Sequence, residues 1–539
     1  VGSHFLMNAQ HNRQDVMVTI SKRSLLGAPL LAALGMGAAS LARAEVTPDS
    51  VAQDAPPPGG QLPIATGPFA PDLASLETYS APDWFRDAKF GIWAHWGPQA
   101  VPRAGDWYAR QMYIPGHPHY DHHLKHYGHP SEVGYKDIIP LWTAEKFDPE
   151  ALMDKYVAAG AKYFVSMGVH HDNFDLWNSR THRWNAAAMG PKRDIVGAWK
   201  AAAQKRGLPF GVSEHLGASH NWFYPSHEYD QFWPKLGVNY DGADPRYADL
   251  YHDNQDEPYR SGDTWYSKDP KYHQIWFNRI RDLIDNYQPD LLYSDGGLPF
   301  GDVGRTMLAH LYNSRTGKDG RTQAVYNCKA LGSGEFSAKF CVQDVERGVL
   351  KGINPLPWQT DTSNGDWFYN DNYTYKTAPD VIHMLADIVS KNGNLLLNIV
   401  LYPDGSLPPE SQSLLDELAA WMQVNGEAIH GSRPWSLYGE GPTETADGAF
   451  QENTVYTAQD IRFTTKGYAL YAITLGEPGA EVTIKALGRN AKSLKHRIRQ
   501  VRLLGHDAPL TFHQDDDALR VAMPGNLPTR HGSVLKISV

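Results

Sequence analysis

The stretch WFNRIRDLIDNYQPDLLYSDGG, residues 276–297, contains the unit from which the fold is built. Its first fifteen residues carry apolar side chains at helical spacing, and the apolar run that follows predicts a short strand. The strand ends at Asp295, and the two glycines after it let the backbone turn sharply and leave the carboxylate exposed. A helix that leads into a buried strand with a polar end is typical of α/β proteins.

The same alternation of strand and helix recurs over most of the chain. Strands are predicted at residues 89–96, 162–168, 208–215, 291–297, 323–327 and 394–400, and helices at 147–161, 194–207, 276–290 and 378–393. This spacing implies parallel strands joined by helical crossovers, which a closed barrel and an open doubly wound sheet both satisfy. No G-x-G-x-x-G follows the first strand, which counts against a dinucleotide-binding fold.

Polar residues at the strand ends favour the barrel. They are His95, His170, His171, Glu214, His215 and Asp295. In a barrel the C-terminal ends of the strands converge on one pocket. We therefore predict a (β/α)8-like catalytic domain over residues 79–433. The short alternating strands beyond it predict an all-β domain, a sandwich, over residues 434–539.

The N-terminal residues predict export. Residues 1–44 combine a cloning remnant with a signal peptide, in which Lys22 and Arg23 precede an apolar run and Ala42-Arg43-Ala44 forms an A-x-A cleavage site. We expect the mature chain to begin at Glu45 and to be periplasmic or secreted, without a membrane span. Residues 45–78 are rich in proline and predict a linker.

The net charge and the aromatic content limit the classes of partner that the protein can bind. The chain has 539 residues, a formal net charge of −10 and 12% aromatic residues. The negative charge makes nucleic acid an unsuitable partner, and abundant aromatic residues suit stacking against sugars as well as a large core. Cys328 and Cys341 are the two cysteines; a disulfide and two buried thiols both remain open.

Two histidine-rich stretches raise the question of a metal. His170 and His171 are adjacent within MGVHHDNFDLW (167–177), so on a strand their side chains point to opposite faces and do not form the i, i+4 pair of a helical metal site. HPHYDHHLKHYGHP (117–130) is expected to be a partly ordered loop over the barrel mouth. We expect no metal and no other cofactor.

Carboxylates offer a different chemistry. Asp295 and Glu346 follow separate apolar stretches 51 residues apart, so they belong to different strands. Two carboxylates at neighbouring strand ends can flank one glycosidic bond, and a retaining glycosidase needs them about 5–5.5 Å apart.

Five motifs in order resemble the α-L-fucosidases of glycoside hydrolase family 29. They are WFRDAKFGIWAHWG (84–97), MGVHHDNFDLWNSRTHRWN (167–185), GPKRDIVGAWKAAAQKRGLPFGVSEH (190–215), DLLYSDGG (290–297) and KNGNLLLNIVLYPDGSLP (391–408). EAIHGSRPW (427–435) is similar to the family's junction with its C-terminal β domain. The resemblance extends from about residue 80 to residue 435.

The resemblance implies site residues. Asp295 matches the nucleophile, Glu346 is the best match to the acid/base, and His95, His170 and His171 match the histidines that bind fucose hydroxyls. Asp106 and Trp107 match the E-W-Y element, with aspartate in place of glutamate. Two further strand-end elements join the predicted substrate-binding set. These are Glu214 with His215, where His215 replaces a tyrosine, and Trp358, whose W-E-T element here contains the neutral Gln359.

The predicted activity is therefore that of an exo-acting, retaining α-L-fucosidase on a fucosylated glycan. Three alternatives remain at this point. One is an exo-glycosidase for a related L-sugar, such as an α-L-galactosidase. Another is a carbohydrate-binding protein without catalysis, which a large separation of Glu346 from Asp295 would favour. The third is a metal-dependent hydrolase that uses the histidines.

Overall fold

The computed structural model describes residues 63–231, 234–253, 264–494 and 497–538. The predicted cloning remnant, the predicted signal peptide and most of the predicted linker lie outside these ranges. Eight parallel strands close into a barrel in chain order, with β1 paired to both β2 and β8. The strands are β1 (Phe90–Ala94), β2 (Tyr163–Val169), β3 (Phe210–Glu214), β4 (Leu291–Ser294), β5 (Val325–Lys329), β6 (Val342–Asp344), β7 (Trp358–Ser363) and β8 (Gly393–Asn398).

Helices cover the barrel and its upper rim. They are α1 (Leu73–Leu76), α2 (Asp83–Ala88), α3 (Tyr108–Gln111), α4 (Pro118–His126), α5 (Tyr135–Ile138), α6 (Pro149–Ala158), α7 (Ile195–Lys205), α8 (Leu216–Trp222), α9 (Ala248–Tyr251), α10 (Pro270–Tyr287), α11 (Asp302–Ser314), α12 (Ala378–Ser390) and α13 (Pro409–Asn425). Among the described residues, none of the helices is both long and apolar enough to span a bilayer.

The unit at residues 276–297 forms as its sequence predicts. Helix α10 begins after Asp269, whose side chain accepts from the Lys271 N–H and satisfies a free donor of the first turn. Its apolar stripe is buried, and β4 is buried at every position. The buried Arg279 of α10 pairs with the buried Asp175 in the loop after β2. This pair ties the helix to the segment that carries the two adjacent histidines.

The C-terminal residues form two antiparallel sheets, as predicted. The five-stranded sheet has the order β13-β16-β11-β10-β9, and the three-stranded sheet has the order β12-β15-β14. Their strands are β9 (Arg433–Glu440), β10 (Ile461–Lys466), β11 (Ala469–Thr474), β12 (Glu481–Ile484), β13 (Gln500–Leu503), β14 (Phe512–Gln514), β15 (Leu519–Ala522) and β16 (Val534–Ser538). Arg462 of β10 donates to Asp387 of α12 at 2.6 Å in a buried contact, which joins this domain to the barrel.

Two segments differ from the sequence-based expectation. Residues 63–78, expected to be linker, contain α1 and pack on α11, where the Asn313 side chain exchanges two 2.9 Å hydrogen bonds with the backbone of Phe69. The histidine-rich segment forms helix α4 rather than a partly ordered loop, because Pro118 suits the first helical turn and the His117 side chain caps it. The thiols of Cys328 and Cys341 are free and buried, with sulfurs 2.9 Å apart.

Candidate active site

A cavity of about 480 Å³ opens at the C-terminal ends of the barrel strands. This is the end at which barrel enzymes carry out their chemistry. The lining residues are Trp93, His95, Asp106, Trp107, His170, His215, Trp265, Tyr293, Asp295, Lys329, Leu331, Ser333, Glu346, Asp361, Trp367 and Phe450. Six of the predicted polar residues therefore share one pocket: His95, Asp106, His170, His215, Asp295 and Glu346.

Asp295 is held by the turn that follows β4. Gly296 has a φ of +140°, and a Cβ atom there would lie 2.2 Å from the Tyr266 hydroxyl, so the turn requires glycine. The Trp265 indole donates to the Asp295 carbonyl oxygen at 3.1 Å. The Lys329 N–H donates to the Gly296 carbonyl oxygen at 2.7 Å, which joins the end of β5 to this turn.

Lys329 links the two predicted catalytic carboxylates. Its Nζ lies 2.6 Å from Asp295 Oδ1 and 2.6 Å from Glu346 Oε2. Twice 2.6 Å sets an upper limit of about 5.2 Å on the separation of these two oxygens. The lysine side chain is 3% exposed, so both contacts are largely shielded from water.

The surroundings shift the pKa values of Asp295 and Glu346 in opposite directions. Burial by itself raises the pKa of Asp295, but the Lys329 ammonium and the His215 and His171 side chains lower it, and the net pKa lies well below the usual range. The pKa of Glu346 is raised by burial, against the lowering effect of Lys329. A lowered pKa at one carboxyl group and a raised pKa at its neighbour is the difference that a nucleophile and a general acid require.

His171 supports the nucleophile from behind. Its Nδ1 lies 2.8 Å from the His215 carbonyl oxygen, and its Nε2 lies 3.1 Å from Asp295 Oδ2. A carbonyl oxygen only accepts, so Nδ1 carries a proton, and a hydrogen bond from Nε2 to the carboxylate requires a second one. The side chain is fully buried and does not line the cavity, and its Nε2 faces Asp295. The contact of His171 with a sugar hydroxyl stays a prediction.

His170 presents an N–H to the pocket. The Ala109 N–H donates to Gln99 Oε1 at 3.2 Å, which leaves the Gln99 NH₂ group to donate to His170 Nδ1 at 2.8 Å. The ring proton is therefore on Nε2, which lies 3.7 Å from Asp106 Oδ1. Burial, with a smaller contribution from Asp366, raises the pKa of Asp106 well above its usual range.

Several buried polar atoms in the pocket lack a hydrogen-bond partner among the described residues. They are His95 Nδ1, Asp106 Oδ1, Asp361 Oδ1 and both ring nitrogens of His215. Burial lowers the pKa of His95 to about 3 and that of His215 well below its usual range, so both rings are neutral. A neutral imidazole donates one hydrogen bond and accepts another, which suits the hydroxyl groups of a sugar.

Indole rings complete the wall of the pocket. Trp107 has a φ of +60°, a strained conformation for an aromatic residue, and its ring stacks on Trp265 at a centroid distance of 6.1 Å. The Trp367 ring lies 5.3 Å from the His95 ring. Backbone strain of this kind persists where the surrounding structure requires one side-chain position.

The comparisons with known proteins agree with this geometry. A profile of the family described as alpha-L-fucosidase matches residues 61–427, and a profile of the alpha-L-fucosidase C-terminal domain matches residues 451–538. The chain belongs to the α-L-fucosidase family. It is 29% identical to the tissue alpha-L-fucosidase of Homo sapiens over 85% of this chain and 88% of that protein, and 30% identical to the human plasma alpha-L-fucosidase over 85% and 88%.

A solved structure is similar over nearly the same length. The crystal structure of Thermotoga maritima alpha-fucosidase in complex with fucose is 26% identical, with a TM-score of 0.66, over 87% of this chain and all of that one. Both domains of the fold predicted from sequence therefore have a counterpart in the fucosidase family.

Besides His171, two predicted positions lie outside the lining of the fucosidase pocket. Glu214 is 1% exposed and accepts from the Trp276 indole at 3.2 Å and the Leu216 N–H at 3.0 Å, so it joins β3 to the surrounding helices. Trp358 begins β7 at the opposite end of the barrel and donates to the Lys391 carbonyl oxygen at 3.0 Å. Both residues stabilise the barrel and neither lines the cavity.

Two groups of three side chains lie within metal-binding distance of one another among the described residues. They are His95 with His170 and His215, and His171 with His215 and Asp295. In the first group His170 points its N–H rather than a lone pair at the others, and in the second the Asp295 carboxylate already faces the Lys329 ammonium. Hydroxyl groups fit both sets of donors and acceptors better than a metal ion does.

Sequence reasoning missed Lys329 and the indoles of Trp265 and Trp367. The predicted strand 323–327 stops two residues before Lys329. A lysine at the C-terminal end of a barrel strand would have indicated an active-site residue. Trp265 and Trp367 lie in loops, which periodicity does not address.

Proposed function

We propose that the protein is an exo-acting α-L-fucosidase that removes terminal fucose by double displacement. Asp295 is the nucleophile and Glu346 the acid/base. The observation that carries the proposal is the pair of 2.6 Å contacts from Lys329 Nζ to both carboxylates. Because Asp295 Oδ1 and Glu346 Oε2 are at most about 5.2 Å apart, the pair fits the roughly 5–5.5 Å separation of the carboxyl groups in retaining enzymes better than the ~6.5–9.5 Å separation in inverting ones.

In the first step the ionised Asp295 attacks the anomeric carbon while Glu346 gives its proton to the leaving oxygen. The C–O bond to the leaving group breaks, and a fucosyl ester of Asp295 forms. The low pKa of Asp295 and the raised pKa of Glu346 support these roles at neutral pH. His171, bound to Asp295 Oδ2 at 3.1 Å, orients the attacking carboxylate.

In the second step Glu346 takes a proton from water, which attacks the anomeric carbon and releases Asp295. The carboxyl pair holds one negative charge before and after each step, first on Asp295 and then on Glu346. Lys329 faces both groups, so its ammonium stabilises that charge wherever it resides. A preorganised charge in a buried site lowers the barrier without reorganisation of solvent.

The shape of the pocket supports exo action. Trp93 and Tyr293 come from the barrel strands and close the inner end of the cavity. His95, His170 and His215 present polar atoms to one ring, and Trp107 with Trp265 forms an apolar wall that suits the methyl group of a 6-deoxy sugar. A sugar at the end of a chain fits a site whose inner end is closed by these side chains, which supports exo action.

Hydrolysis of 4-nitrophenyl α-L-fucopyranoside, followed by NMR, tests this proposal. We expect release of fucose as the α anomer before mutarotation, and a lower kcat/KM for the matching α-L-galactoside, whose C6 hydroxyl has to enter the apolar wall. Initial release of the β anomer would refute the double displacement. Tight binding of fucose without hydrolysis would support the carbohydrate-binding alternative. Faster hydrolysis of the galactoside than of the fucoside would identify the protein as an α-L-galactosidase.

We also propose that the chain is exported, with cleavage after Ala44. The basic residues, apolar run and A-x-A site in order support this. N-terminal sequencing of protein recovered from the periplasm or medium of an expressing bacterium should begin at Glu45. Full-length protein retained in the cytoplasm would refute it.

A further inference from the structure

A second and larger cavity, of about 690 Å³, adjoins the sugar pocket. Asp106, Trp367 and Phe450 line both cavities, so the two spaces share a boundary. When the glycosidic bond lies at Asp295 and Glu346, the part of the substrate that is released has to extend away from the barrel interior. The second cavity adjoins the pocket on the side where this part would lie.

Part of its wall comes from the segment that follows β9. The Gly448 and Val349 backbones exchange two hydrogen bonds, of 2.8 and 3.2 Å, in an antiparallel bridge. The Phe450 N–H donates to the Glu346 carbonyl oxygen at 2.9 Å. The acid/base residue is therefore fixed to the same segment that projects Phe450, which has a φ of +57° and is 60% exposed. An aromatic ring in this strained, exposed position is unusual for a residue with only a packing role.

The charges in the second cavity favour an uncharged ligand. Arg347 and Lys376 are its lining cations, and Glu452 accepts from both, at 3.0 and 2.9 Å. The Glu452 side chain is 6% exposed, so these pairs are buried and stable. Asp366 and Asp380 add carboxyl groups without a matching cation among the described lining residues. With Glu452 they make three carboxylates against two cations, and an anionic ligand would meet a wall of net negative charge.

We propose that this cavity binds the uncharged sugar units to which the fucose is attached. The inference rests on the proposed fucosidase activity and specifies its substrate as a neutral fucosylated oligosaccharide. Phe450 and Tyr373, which is 40% exposed, supply apolar faces for the sugar rings, and the paired charges supply hydrogen-bonding groups around them.

Substrates with leaving groups of different size distinguish the contribution of the second cavity from that of the sugar pocket. α-L-Fucosyl fluoride has a leaving group too small to reach the second cavity, so its kcat/KM reports the sugar pocket alone. Neutral fucosyl trisaccharides with (1→2), (1→3), (1→4) and (1→6) linkages are compared with it, and the best of the four is carried forward. We expect Phe450→Ala and Tyr373→Ala to lower the ratio of trisaccharide to fluoride kcat/KM by about three- to tenfold.

Tyr468→Ala is the matched control, because Tyr468 is a 98% exposed aromatic residue in the turn between β10 and β11. It should leave the ratio unchanged. A 6-O-sulfate on the sugar that bears fucose should lower trisaccharide kcat/KM by about tenfold or more. Ratios that change less than twofold in both variants, or equal turnover of the sulfated substrate, would overturn the inference. Absence of fluoride hydrolysis by the parent protein would instead overturn the proposed function, and the inference with it.

Discussion

Replacement of Lys329 by methionine removes the charge that the two catalytic carboxylates share. The ammonium makes two hydrogen bonds of 2.6 Å in a buried site, and each charge-assisted bond of this kind contributes about 1.5–3 kcal/mol. Breaking a buried ion pair from one side costs about 3–5 kcal/mol, which agrees with the sum of the two bonds. Loss of one preorganised electrostatic group lowers turnover by about 10²–10³. We expect kcat/KM of Lys329→Met to fall by that factor at neutral pH.

The variant should also shift the pH profile. Lys329 lowers the pKa of Asp295 and that of Glu346. Without it both pKa values rise, so the acidic limb of kcat/KM, where Asp295 loses its charge, moves to higher pH. The alkaline limb, where Glu346 loses its proton, moves in the same direction. Rates on 4-nitrophenyl α-L-fucopyranoside between pH 4 and pH 9 measure both limbs.

Stability should change with pH as well. In the parent protein the depressed pKa of Asp295 contributes stability that is present above the unfolded value of about 3.9 and is lost as the pH falls through the folded value. In Lys329→Met the carboxyl groups are buried without their cation, and ionisation in the folded state becomes costly. The difference in unfolding free energy should therefore be largest, about 3–5 kcal/mol, near pH 7 and should narrow towards pH 4.

A second buried lysine provides the matched control. Lys391 pairs with Asp387 at 2.7 Å, is fully buried and lies outside the sugar pocket. Lys391→Met should lower stability without moving either limb of the pH profile, and Lys329→Arg should restore much of the lost activity. If the Lys329→Met profile superimposes on that of the parent after scaling, the lysine has only a packing role and the reasoning fails.

Three further predictions concern single side chains. Glu346→Gln should reduce kcat/KM on oligosaccharides by about 10²–10⁴ but much less on fucosyl fluoride, which needs no proton; equal losses on both would contradict the acid role. Gln99→Glu should place the His170 proton on Nδ1, so that Nε2 loses its N–H and kcat/KM falls about tenfold; an unchanged value would contradict the assigned tautomer. Trp358→Phe should leave KM unchanged and lower the unfolding free energy by about 0.5–1.5 kcal/mol, since the Lys391 carbonyl oxygen loses one of its two donors and keeps the Asn354 N–H; a raised KM would show that Trp358 contacts the substrate.

The fold was predictable because its strands are continuous apolar runs between amphipathic helices. Helices α6 and α7 begin where Asp148 and Asp194 cap them, and both caps are visible in the sequence. The polar residues that end β1, β2 and β4 also reveal the functional end of the barrel. Periodicity and capping act over a few residues, so one sequence is sufficient to read them.

The remaining details depend on single positions and on tertiary contacts. Glu214 and His215 are neighbours, and the alternation of side chains along a strand turns one towards the helices and the other towards the pocket. His170 and His171 divide in the same way, one to the pocket and one behind Asp295. Phe450 reaches the rim of the pocket from the segment after β9, a long-range contact that no local pattern encodes.

Azide rescue of two variants tests the double displacement most directly. Asp295→Gly should lose activity on an aryl α-L-fucoside, and azide should restore it with formation of β-L-fucosyl azide, because the anion attacks from the side that Asp295 occupied. Glu346→Gly should instead give α-L-fucosyl azide, because there azide attacks the fucosyl ester of Asp295. If azide restores no activity to Asp295→Gly, or if both variants give the same anomer, Asp295 is not the nucleophile of a two-step reaction.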